Sequence, residues 1–350
     1  MKKNRLGIIG ATGYVGMELV RLAVLHGQLD LTVLVSQSYV GRRFSDIYPA
    51  FRGLVDLELS ELSVDELTEK CDLVVTALPH GVSAKIVPQL LERGLKVLDH
   101  SGDFRYRNAN IYEEAYKLTH PNPELLEQAV YGLPEIYRNQ LKYTQLAANP
   151  GCYPTCSILG LLPLLRGGLI QTEGIIIDAY SGISGAGRKA DLSFSFCEAQ
   201  DSIKPYGVVG HRHTSEIEQE TGLLAGSAKP LTISFTPHLA PFKRGMLATI
   251  YARLQDNTTV EQIEQAYTDA YAKEKFIRML PTGQMPETRN VAYTNFADIA
   301  WAVDQRTGLV KIMSAIDNLG KGASGQALQS INIMLGLPEE TGLLAAGGAI

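Results

Sequence analysis

The features that this 350-residue chain lacks exclude several classes of protein. Four cysteines are too few for a disulfide framework, and this predicts a protein of the reducing cytoplasm. No apolar run approaches the roughly 20 residues of a membrane span, and no leader-like segment precedes the first predicted strand. The formal net charge of −5 argues against nucleic acid as a partner, because nucleic-acid-binding proteins need a basic surface.

The first part of the chain alternates predicted strands and helices. Runs that are apolar on both faces and separated by helices indicate a parallel sheet covered on both sides. We therefore predict a Rossmann-like doubly wound α/β domain over residues 1–150. Its predicted strands are 5–9, 31–35, 73–78 and 95–99, and its predicted helices are 15–26, 64–70 and 82–93.

A second, α+β domain with a mixed or antiparallel sheet is predicted for residues 151–317. Its strands are expected at 175–180, 231–235, 246–254 and 309–316, with stronger alternation of apolar and polar residues in the later ones, and a helix is expected at 260–273. Residues 318–350 contain a last predicted helix, 323–335, which we expect to pack back on the first domain.

The segment Asn-Pro-Gly-Cys-Tyr-Pro-Thr-Cys, residues 149–156, places Cys152 at a predicted helix start. Pro154 is expected at the first helical position, and an apolar run follows it. A thiol at a helix N-terminus meets the positive end of the macrodipole and unpaired N–H groups, which favour the nucleophilic thiolate. The alternative is a small buried core cysteine.

A glycine-rich turn lies between the first predicted strand and helix, where a dinucleotide pyrophosphate binds in such folds. The end of the second strand carries Ser36 instead of an acidic residue, with Arg42 and Arg43 nearby, and this favours NADP(H) over NAD(H). The alternative is that both arginines lie on a solvated loop. The predicted cofactor residues of the turn are Gly10, Thr12, Gly13, Tyr14, Val15 and Gly16.

A nucleophilic cysteine needs an acid–base partner, and two of the seven histidines cluster in Gly-His-Arg-His. We predict His211 as the partner and His213 as second choice, in a polar loop before a helix at 215–221. A rival prediction makes both histidines zinc ligands with Cys152 and Cys156. The four-residue cysteine spacing disfavours it, so we predict no metal.

Cationic residues in loops are candidates for binding an anionic substrate. The loop 181–189 joins flexible backbone to Ser184 and Arg188, Arg105 follows a parallel strand, and Arg244 lies in a third loop. Taken singly, each of these is also compatible with a solvated surface.

Several motifs together resemble the N-acetyl-gamma-glutamyl-phosphate reductases of the semialdehyde dehydrogenase group. They are the glycine-rich turn, Ser-Gly-Asp-Phe-Arg, Asn-Pro-Gly-Cys-Tyr-Pro-Thr, Ser-Gly-Ile-Ser-Gly-Ala-Gly-Arg, Gly-His-Arg-His and Asp-Asn-Leu-Gly-Lys-Gly-Ala, in that order. The resemblance implies that Cys152 is the acylated nucleophile, that His211 is the acid–base residue and that Asn318 lies near the nicotinamide. We expect Ser181 and Gly182 to contact the cofactor as well.

The resemblance also implies a reaction and a partner. The expected reaction is NADPH-dependent reduction of N-acetyl-L-glutamyl 5-phosphate to the 5-semialdehyde with phosphate release, a step of arginine biosynthesis. A homo-oligomer, dimer or tetramer, is expected, with 151–317 as the catalytic and dimerisation domain. The alternatives are an aspartyl or aminoadipyl acyl-phosphate substrate, or a redox-sensing NADP-binding regulator without turnover.

Overall fold

The structure, a computed structural model, describes residues 3–347 and divides into two compact units. Within that range the first unit comprises residues 3–150 and 323–344, and the second comprises 151–322 and 345–347. In the described part of the chain, no helix is both long enough and apolar enough to cross a membrane.

The first unit is built on a seven-stranded parallel sheet, which confirms the predicted Rossmann-like fold. Its strand order is β3-β2-β1-β4-β5-β7-β6. The central strands are almost wholly buried because helices cover both faces, as their apolar sequences predict. The strands are β1 Asn4–Ile9, β2 Leu29–Val35, β3 Leu59–Ser60, β4 Leu73–Thr76, β5 Lys96–Asp99, β6 Val130–Tyr131 and β7 Leu146–Ala148, and the helices are α1 Tyr14–His26, α2 Phe44–Ile47, α3 Val64–Lys70, α4 Ser83–Glu92, α5 Ala109–Tyr116, α6 Glu124–Gln128 and α7 Pro134–Leu141.

The second unit contains a seven-stranded mixed sheet, as predicted, in the order β12-β13-β14-β11-β8-β10-β9. Two strand pairs, β8–β10 and β12–β13, are parallel and the others are antiparallel. The strands are β8 Ile175–Gly182, β9 Lys204–Pro205, β10 Ile233–Ala240, β11 Met246–Arg253, β12 Ile277–Met279, β13 Ala297–Asp304 and β14 Leu309–Ile316, and the helices are α8 Cys152–Arg166, α9 Phe196–Ala199, α10 Arg212–Leu224, α11 Val260–Tyr271 and α12 Thr288–Val291.

Helix α8, which begins at Cys152, runs through the core of the second unit and packs on β11 and β14. Pro163 lies inside it and has no N–H to give to the carbonyl of Leu159, four residues earlier. The hydroxyl of Tyr271 donates to that carbonyl, and the hydroxyl of Tyr267 donates to the next one, of Gly160. The two tyrosines of α11 therefore satisfy the backbone at the kink-prone turn of the helix.

The last helix, α13 Gly325–Met334, follows a π-helical turn at Gly320–Ser324 and belongs to the first unit. All ten of its residues are buried, including its polar ones, so each polar side chain needs a partner. Gln326 Nε2 donates to the carbonyl of Gly132 at 2.7 Å. Asn332 Nδ2 donates to two carbonyls at 3.0 Å, and its Oδ1 accepts from His26 Nε2 at 2.7 Å.

Candidate active site

Cys152 is the first residue of α8, and the backbone before it lies against two side chains of α10. The N-cap Gly151 donates its N–H to Oε1 of Glu216 at 2.9 Å, and Glu216 is fully buried. A Cβ added to Gly151 would lie only 2.5 Å from Nε2 of His213. Since φ of Gly151 is −67°, any residue could adopt this backbone; the glycine provides room for the imidazole.

The helix begins two residues before the start that Pro154 predicts. Proline is tolerated there because the N–H groups of a first helical turn have no partner within the helix. The thiol of Cys152 is half-buried, and a Cβ on Gly322 would lie 2.9 Å from the Cβ of Cys152. Gly322 is fixed by its N–H bond to the carbonyl of Asp317 at 2.8 Å. Within the second unit, Cys152 is thus approached by α10 and by the segment 317–322.

His211 is the N-cap of α10, so the prediction that both histidines lie in a loop is wrong. Its Nδ1 accepts the backbone N–H of His213 at 3.1 Å, and α10 starts three residues earlier than predicted because of this cap. Burial, and secondarily the charge of Arg212, lowers the pKa of His211 to about 4. At neutral pH the ring is therefore uncharged, and because Nδ1 is an acceptor its proton is on Nε2.

An aromatic wall surrounds His211. Its ring centroid lies 5.7 Å from that of Tyr153, 5.4 Å from Tyr206 and 5.5 Å from Phe235. The Tyr206 hydroxyl donates to the Tyr153 hydroxyl at 3.2 Å, and the latter donates to the carbonyl of His238, also at 3.2 Å. Burial raises the pKa of Tyr206 to about 12 and raises that of Tyr153, so both hydroxyls stay protonated.

Sequence reasoning missed Glu216 and this wall. Glu216 follows His213 by three residues, a spacing that places both side chains on one face of a helix. That signal was readable only with the correct start of α10, which depends on His211 acting as the cap. The wall joins residues from β10, α8 and the segment before α10, and no local pattern connects them.

Asp317 organises the predicted anion-binding residue Arg244. Its carboxylate accepts from the Arg244 guanidinium at 3.1 and 2.8 Å, and both side chains are buried. Its Oδ1 also accepts the N–H groups of Leu319 and Gly320. The guanidinium lies 4.3 Å from the ring centroid of Tyr293. Within the second unit, the pair therefore joins the loop that precedes β11 to the residue that follows β14.

Asn318 and Ser184, predicted to bind cofactor and substrate respectively, contact each other. Nδ2 of Asn318 donates to Oγ of Ser184 at 2.9 Å, and its Oδ1 accepts the N–H of Gly245 at 2.8 Å. Ser181 is buried at the end of β8, and the Gly182 N–H donates to the carbonyl of Gly245 at 2.9 Å. These four predicted residues form one neighbourhood of the second unit, whereas Arg188 lies in an exposed segment beyond it.

The predicted cofactor turn of the first unit has the features that a pyrophosphate requires. Gly10 has φ +87°, and a Cβ there would lie 2.2 Å from the carbonyl oxygen of Ala77. A Cβ on Gly16 would lie 2.3 Å from the carbonyl oxygen of Gly10. The N-cap of α1, Gly13, makes no side-chain cap bond, and the first turn of α1 contains no acidic residue. The residues therefore fit a dinucleotide phosphate at this helix N-terminus.

The end of β2 presents hydroxyls and not a carboxylate. Ser36 is buried, and its Oγ lies 2.9 Å from Oγ1 of Thr12. Arg42 and Arg43 are exposed, and the Arg42 guanidinium lies 5.9 Å from the ring centroid of Tyr39. No carboxylate stands at Ser36 to take the ribose hydroxyls.

Arg105 lies in a buried polar group at the end of β5. Its Nη2 donates to the carbonyl of His100 at 2.9 Å. Burial raises the pKa of Asp99, which accepts the hydroxyls of Thr76 and Ser101 at 2.6 Å. Asp103 accepts the N–H of Gly81, just before α4, and the N–H of Ala84, in the first turn of α4. Asp103, the acidic residue of the Ser-Gly-Asp-Phe-Arg motif, therefore holds the start of α4, a role that its sequence pattern did not predict.

Among residues 3–347, no group of three or more His, Cys, Asp or Glu side chains is arranged to hold a metal, and this includes the rival zinc site of Cys152, Cys156, His211 and His213. Cys156 instead donates to the carbonyl of Ser314 at 3.1 Å, and burial raises its pKa to about 12.

Two family descriptions match the chain. Residues 5–144 match "Semialdehyde dehydrogenase, NAD binding domain", and residues 152–318 match "Semialdehyde dehydrogenase, dimerisation domain". The first unit therefore contains an NAD(P)-binding domain.

Solved structures with this fold include aspartate semialdehyde dehydrogenase II of Vibrio cholerae complexed with ASA, with a TM-score of 0.72 and 17% identity, covering 96% of this chain and 99% of that chain. The aspartate semialdehyde dehydrogenase of Candida albicans, solved with NADP, has a TM-score of 0.72 and 18% identity, with 95% and 99% covered.

Full-length relatives are much closer in sequence. Proteins named N-acetyl-gamma-glutamyl-phosphate reductase from Acetivibrio thermocellus and Moorella thermoacetica are 52% and 50% identical to this chain. The alignments cover 98% of this chain in both cases, and 98% and 99% of the relatives. A third, from Desulforamulus reducens, is 49% identical with the same 98% and 99% coverage. The chain belongs to the N-acetyl-gamma-glutamyl-phosphate reductase family.

Proposed function

We propose that this chain reduces N-acetyl-L-glutamyl 5-phosphate to N-acetyl-L-glutamate 5-semialdehyde with NADPH, releasing phosphate, through a thioester on Cys152. The observation that carries the proposal is the position of Cys152 at the N-terminus of α8, where His213 and Glu216 contact the residue before it. Relatives of 49–52% identity bear the name of this activity.

Acyl transfer to the cysteine is the first step. The thiolate of Cys152 attacks the acyl carbonyl, the carbon–sulfur bond forms, and phosphate leaves with the electron pair of the broken carbon–oxygen bond. Backbone N–H groups at the start of α8 are suited to hold the oxyanion that develops on the carbonyl oxygen. The N–H of Gly151 does not serve this purpose, because Glu216 accepts it.

Proton transfer is assigned to the two histidines. His213 is the better placed to take the thiol proton of Cys152, since its Nε2 lies against Gly151. His211, neutral with its proton on Nε2, is the donor to the oxygen that becomes negative when the thioester is reduced. Collapse of the resulting thiohemiacetal releases the semialdehyde and returns the thiol.

The glycine turn Gly10–Gly16, at the N-terminus of α1, would hold the cofactor phosphates. The bound reduced nicotinamide supplies the hydride that reduces the thioester. Ser36 in place of an acidic residue, with Arg42 and Arg43 on the next loop, supports NADPH over NADH because a 2′-phosphate repels a carboxylate. Ser181, Gly182 and Asn318 remain proposed cofactor contacts.

The proposed substrate contacts are Arg105, Ser184, Arg188 and Arg244. We further propose that the protein works in the cytoplasm as a homo-oligomer, dimer or tetramer. The match of residues 152–318 to a dimerisation domain supports self-association. The formal net charge of −5 supports the absence of a nucleic-acid partner.

The test is phosphate-dependent reduction of NADP⁺, the reverse reaction, with N-acetyl-glutamate semialdehyde and aspartate semialdehyde compared side by side. We expect turnover of the acetylated compound only, abolished in Cys152→Ala and kept in the control Cys71→Ala, whose thiol lies in the first unit. Cofactor binding, followed by fluorescence, should persist in Cys152→Ala. Turnover of only the aspartyl compound would assign an aspartyl phosphate as the substrate instead. NADP⁺ binding without turnover of either compound would favour a redox-sensing regulator.

A further inference from the structure

The segment between β2 and β3, residues 37–58 and here named the arm, is closed at its base by backbone bonds. The N–H of Phe44 donates to the carbonyl of Leu57 at 2.9 Å. The N–H of Leu59, the first residue of β3, donates to the carbonyl of Arg42 at 2.8 Å. The two ends of the arm therefore pair with each other, and the arm is not an open loop.

Three aromatic rings form the interior of the arm. The ring centroid of Phe44 lies 5.3 Å from that of Tyr48 and 5.1 Å from that of Phe51. Phe44 and Phe51 are buried, and Tyr48 is half-buried. Aromatic rings at such distances stabilise each other through burial and through edge contacts. The ring of Tyr48 thus belongs to a small apolar core that gives the arm a fixed shape.

The hydroxyl of Tyr48 extends from this core to the cofactor turn. It donates to the carbonyl of Thr12 at 2.7 Å, although the two residues are 36 positions apart in sequence. The N–H of the same peptide unit, which belongs to Gly13, donates to the carbonyl of Gly10 at 3.1 Å. Both polar groups of this peptide are therefore held, directly before the helix N-terminus where the cofactor phosphates are proposed to bind.

The arm also carries the residues proposed to bind the 2′-phosphate of NADPH, the exposed Arg42 and Arg43. Ser36, directly before the arm, has its Oγ 2.9 Å from Oγ1 of Thr12. Thr12 is thus contacted through its side chain by Ser36 and through its carbonyl by Tyr48. The arm therefore joins two parts of the proposed cofactor site. The turn serves a pyrophosphate, which NADH and NADPH share, whereas the arginines serve a phosphate that NADPH alone has.

We propose that Tyr48 is a positioning residue that sets the preference for NADPH over NADH. Its hydroxyl fixes the arm to the cofactor turn and so keeps Arg42 and Arg43 at a constant distance from the pyrophosphate site. Contacts that are held in place before binding increase affinity, because less freedom is lost when the ligand binds. Only a cofactor that contacts both the turn and the arm gains from this bond. The proposal rests on the cofactor contacts stated under the proposed function, and not on the identity of the acyl group.

The test measures the dissociation constants of NADPH and NADH for the full chain, from the fluorescence of the bound reduced nicotinamide. Tyr48→Phe removes the hydroxyl and keeps the ring, so the core of the arm is preserved. The matched control is Tyr143→Phe, which removes the hydroxyl of a tyrosine in the same unit that is 88% exposed. Thermal unfolding verifies that each variant is folded.

We expect the Kd of NADPH to rise about three- to tenfold in Tyr48→Phe, the factor that one net hydrogen bond commonly contributes. The Kd of NADH should change by less than about twofold, because NADH has no group that contacts the arginines. The control should match the wild type for both cofactors.

A double-mutant cycle shows whether the hydroxyl acts through the arginines. Arg42→Gln with Arg43→Gln should weaken NADPH binding and leave NADH binding unchanged. When Tyr48→Phe is added to this double variant, the ratio of the two dissociation constants should not change further.

Three outcomes would overturn the proposal. Equal weakening of NADPH and NADH in Tyr48→Phe would show that the hydroxyl serves the turn alone, and unchanged constants for both would show that it serves neither. A loss of selectivity that is as large without the arginines as with them would show that it does not act through them.

Failure of the proposed cofactor contacts is recognised separately. In that case the arginine double variant would bind NADPH as tightly as the wild type, and the role of Tyr48 would fall together with that of the arginines. None of these binding results bears on which semialdehyde is turned over, which the NADP⁺ assay decides.

Discussion

Gly151→Ala tests the geometry at Cys152 most directly. Alanine is compatible with the backbone of Gly151, whose φ is −67° and ψ 156°, so the substitution introduces no backbone strain. The new methyl group would lie 2.5 Å from Nε2 of His213, whereas ordinary contacts begin at 3.4 Å. The imidazole, or the start of α8 with Cys152, must therefore move by roughly 1 Å.

A displacement of about 1 Å in an active site can cost roughly 10²-fold in rate. We expect kcat of the phosphate-dependent reaction to fall by about that factor in Gly151→Ala, with little change in NADPH affinity. The control is Gly210→Ala, next to His211, where an added Cβ meets nothing within 4 Å. The two variants differ in crowding at the histidines and not in the size of the change.

The rate is measured with N-acetyl-glutamate semialdehyde over a range of pH, since a displaced base shifts the pH profile as well as lowering its maximum. Light scattering on both variants verifies that assembly is unchanged. If Gly151→Ala keeps kcat within about threefold of the wild type, His213 is not required at its observed position, and its role as base would have to be abandoned.

Three further outcomes follow from buried polar contacts. Glu216→Ala removes the acceptor of the Gly151 N–H and should cost about 1–3 kcal/mol of unfolding free energy in urea titrations, whereas Glu216→Gln retains an acceptor oxygen and should recover most of it. Asp317→Asn breaks the buried pair with Arg244 and should cost about 3–5 kcal/mol, seen as a lower Tm; an unchanged Tm would exclude a structural role for the pair. Burial lowers the pKa of His26 below its ordinary 6.5, so the unfolded state binds the proton more tightly and stability should decline as pH falls below about 6.5. The urea midpoint at a series of pH values should show this decline in the wild type and a flatter profile in His26→Gln, and equal slopes would refute it.

The sequence predicted what local patterns determine. Uninterrupted apolar runs identified the central strands of the parallel sheet, and the Pro-Gly turn with Pro154 located the start of α8 to within two residues. The glycines of the cofactor turn were recognisable because Gly10 and Gly16 sit where a Cβ would collide with backbone. In these cases the physical requirement lies within a few consecutive residues.

Features that depend on distant partners were not predictable. Strand β13, Ala-Asp-Ile-Ala-Trp-Ala-Val-Asp, has small and acidic residues that weaken the strand pattern, yet it pairs on both sides with β12 and β14. His211 looked like a loop residue because imidazole is a rare N-cap, and only the bond to the N–H of His213 reveals the start of α10. Arg244 looked like a free cation until folding brought Asp317, 73 residues away in sequence, to its guanidinium.

The position of α13 in the chain has a consequence for biosynthesis. Residues 325–334 pack against α1 and α7, and their amide side chains satisfy carbonyls of the first unit. A ribosome has already synthesised the parallel sheet and residues 151–322 of the second unit before it makes this helix. Until then the surfaces of α1 and α7 that α13 covers stay exposed, and the carbonyl of Gly132 lacks its amide donor. The nascent chain must therefore complete its first-made domain last, and during translation this half-covered intermediate is the species that needs protection from aggregation.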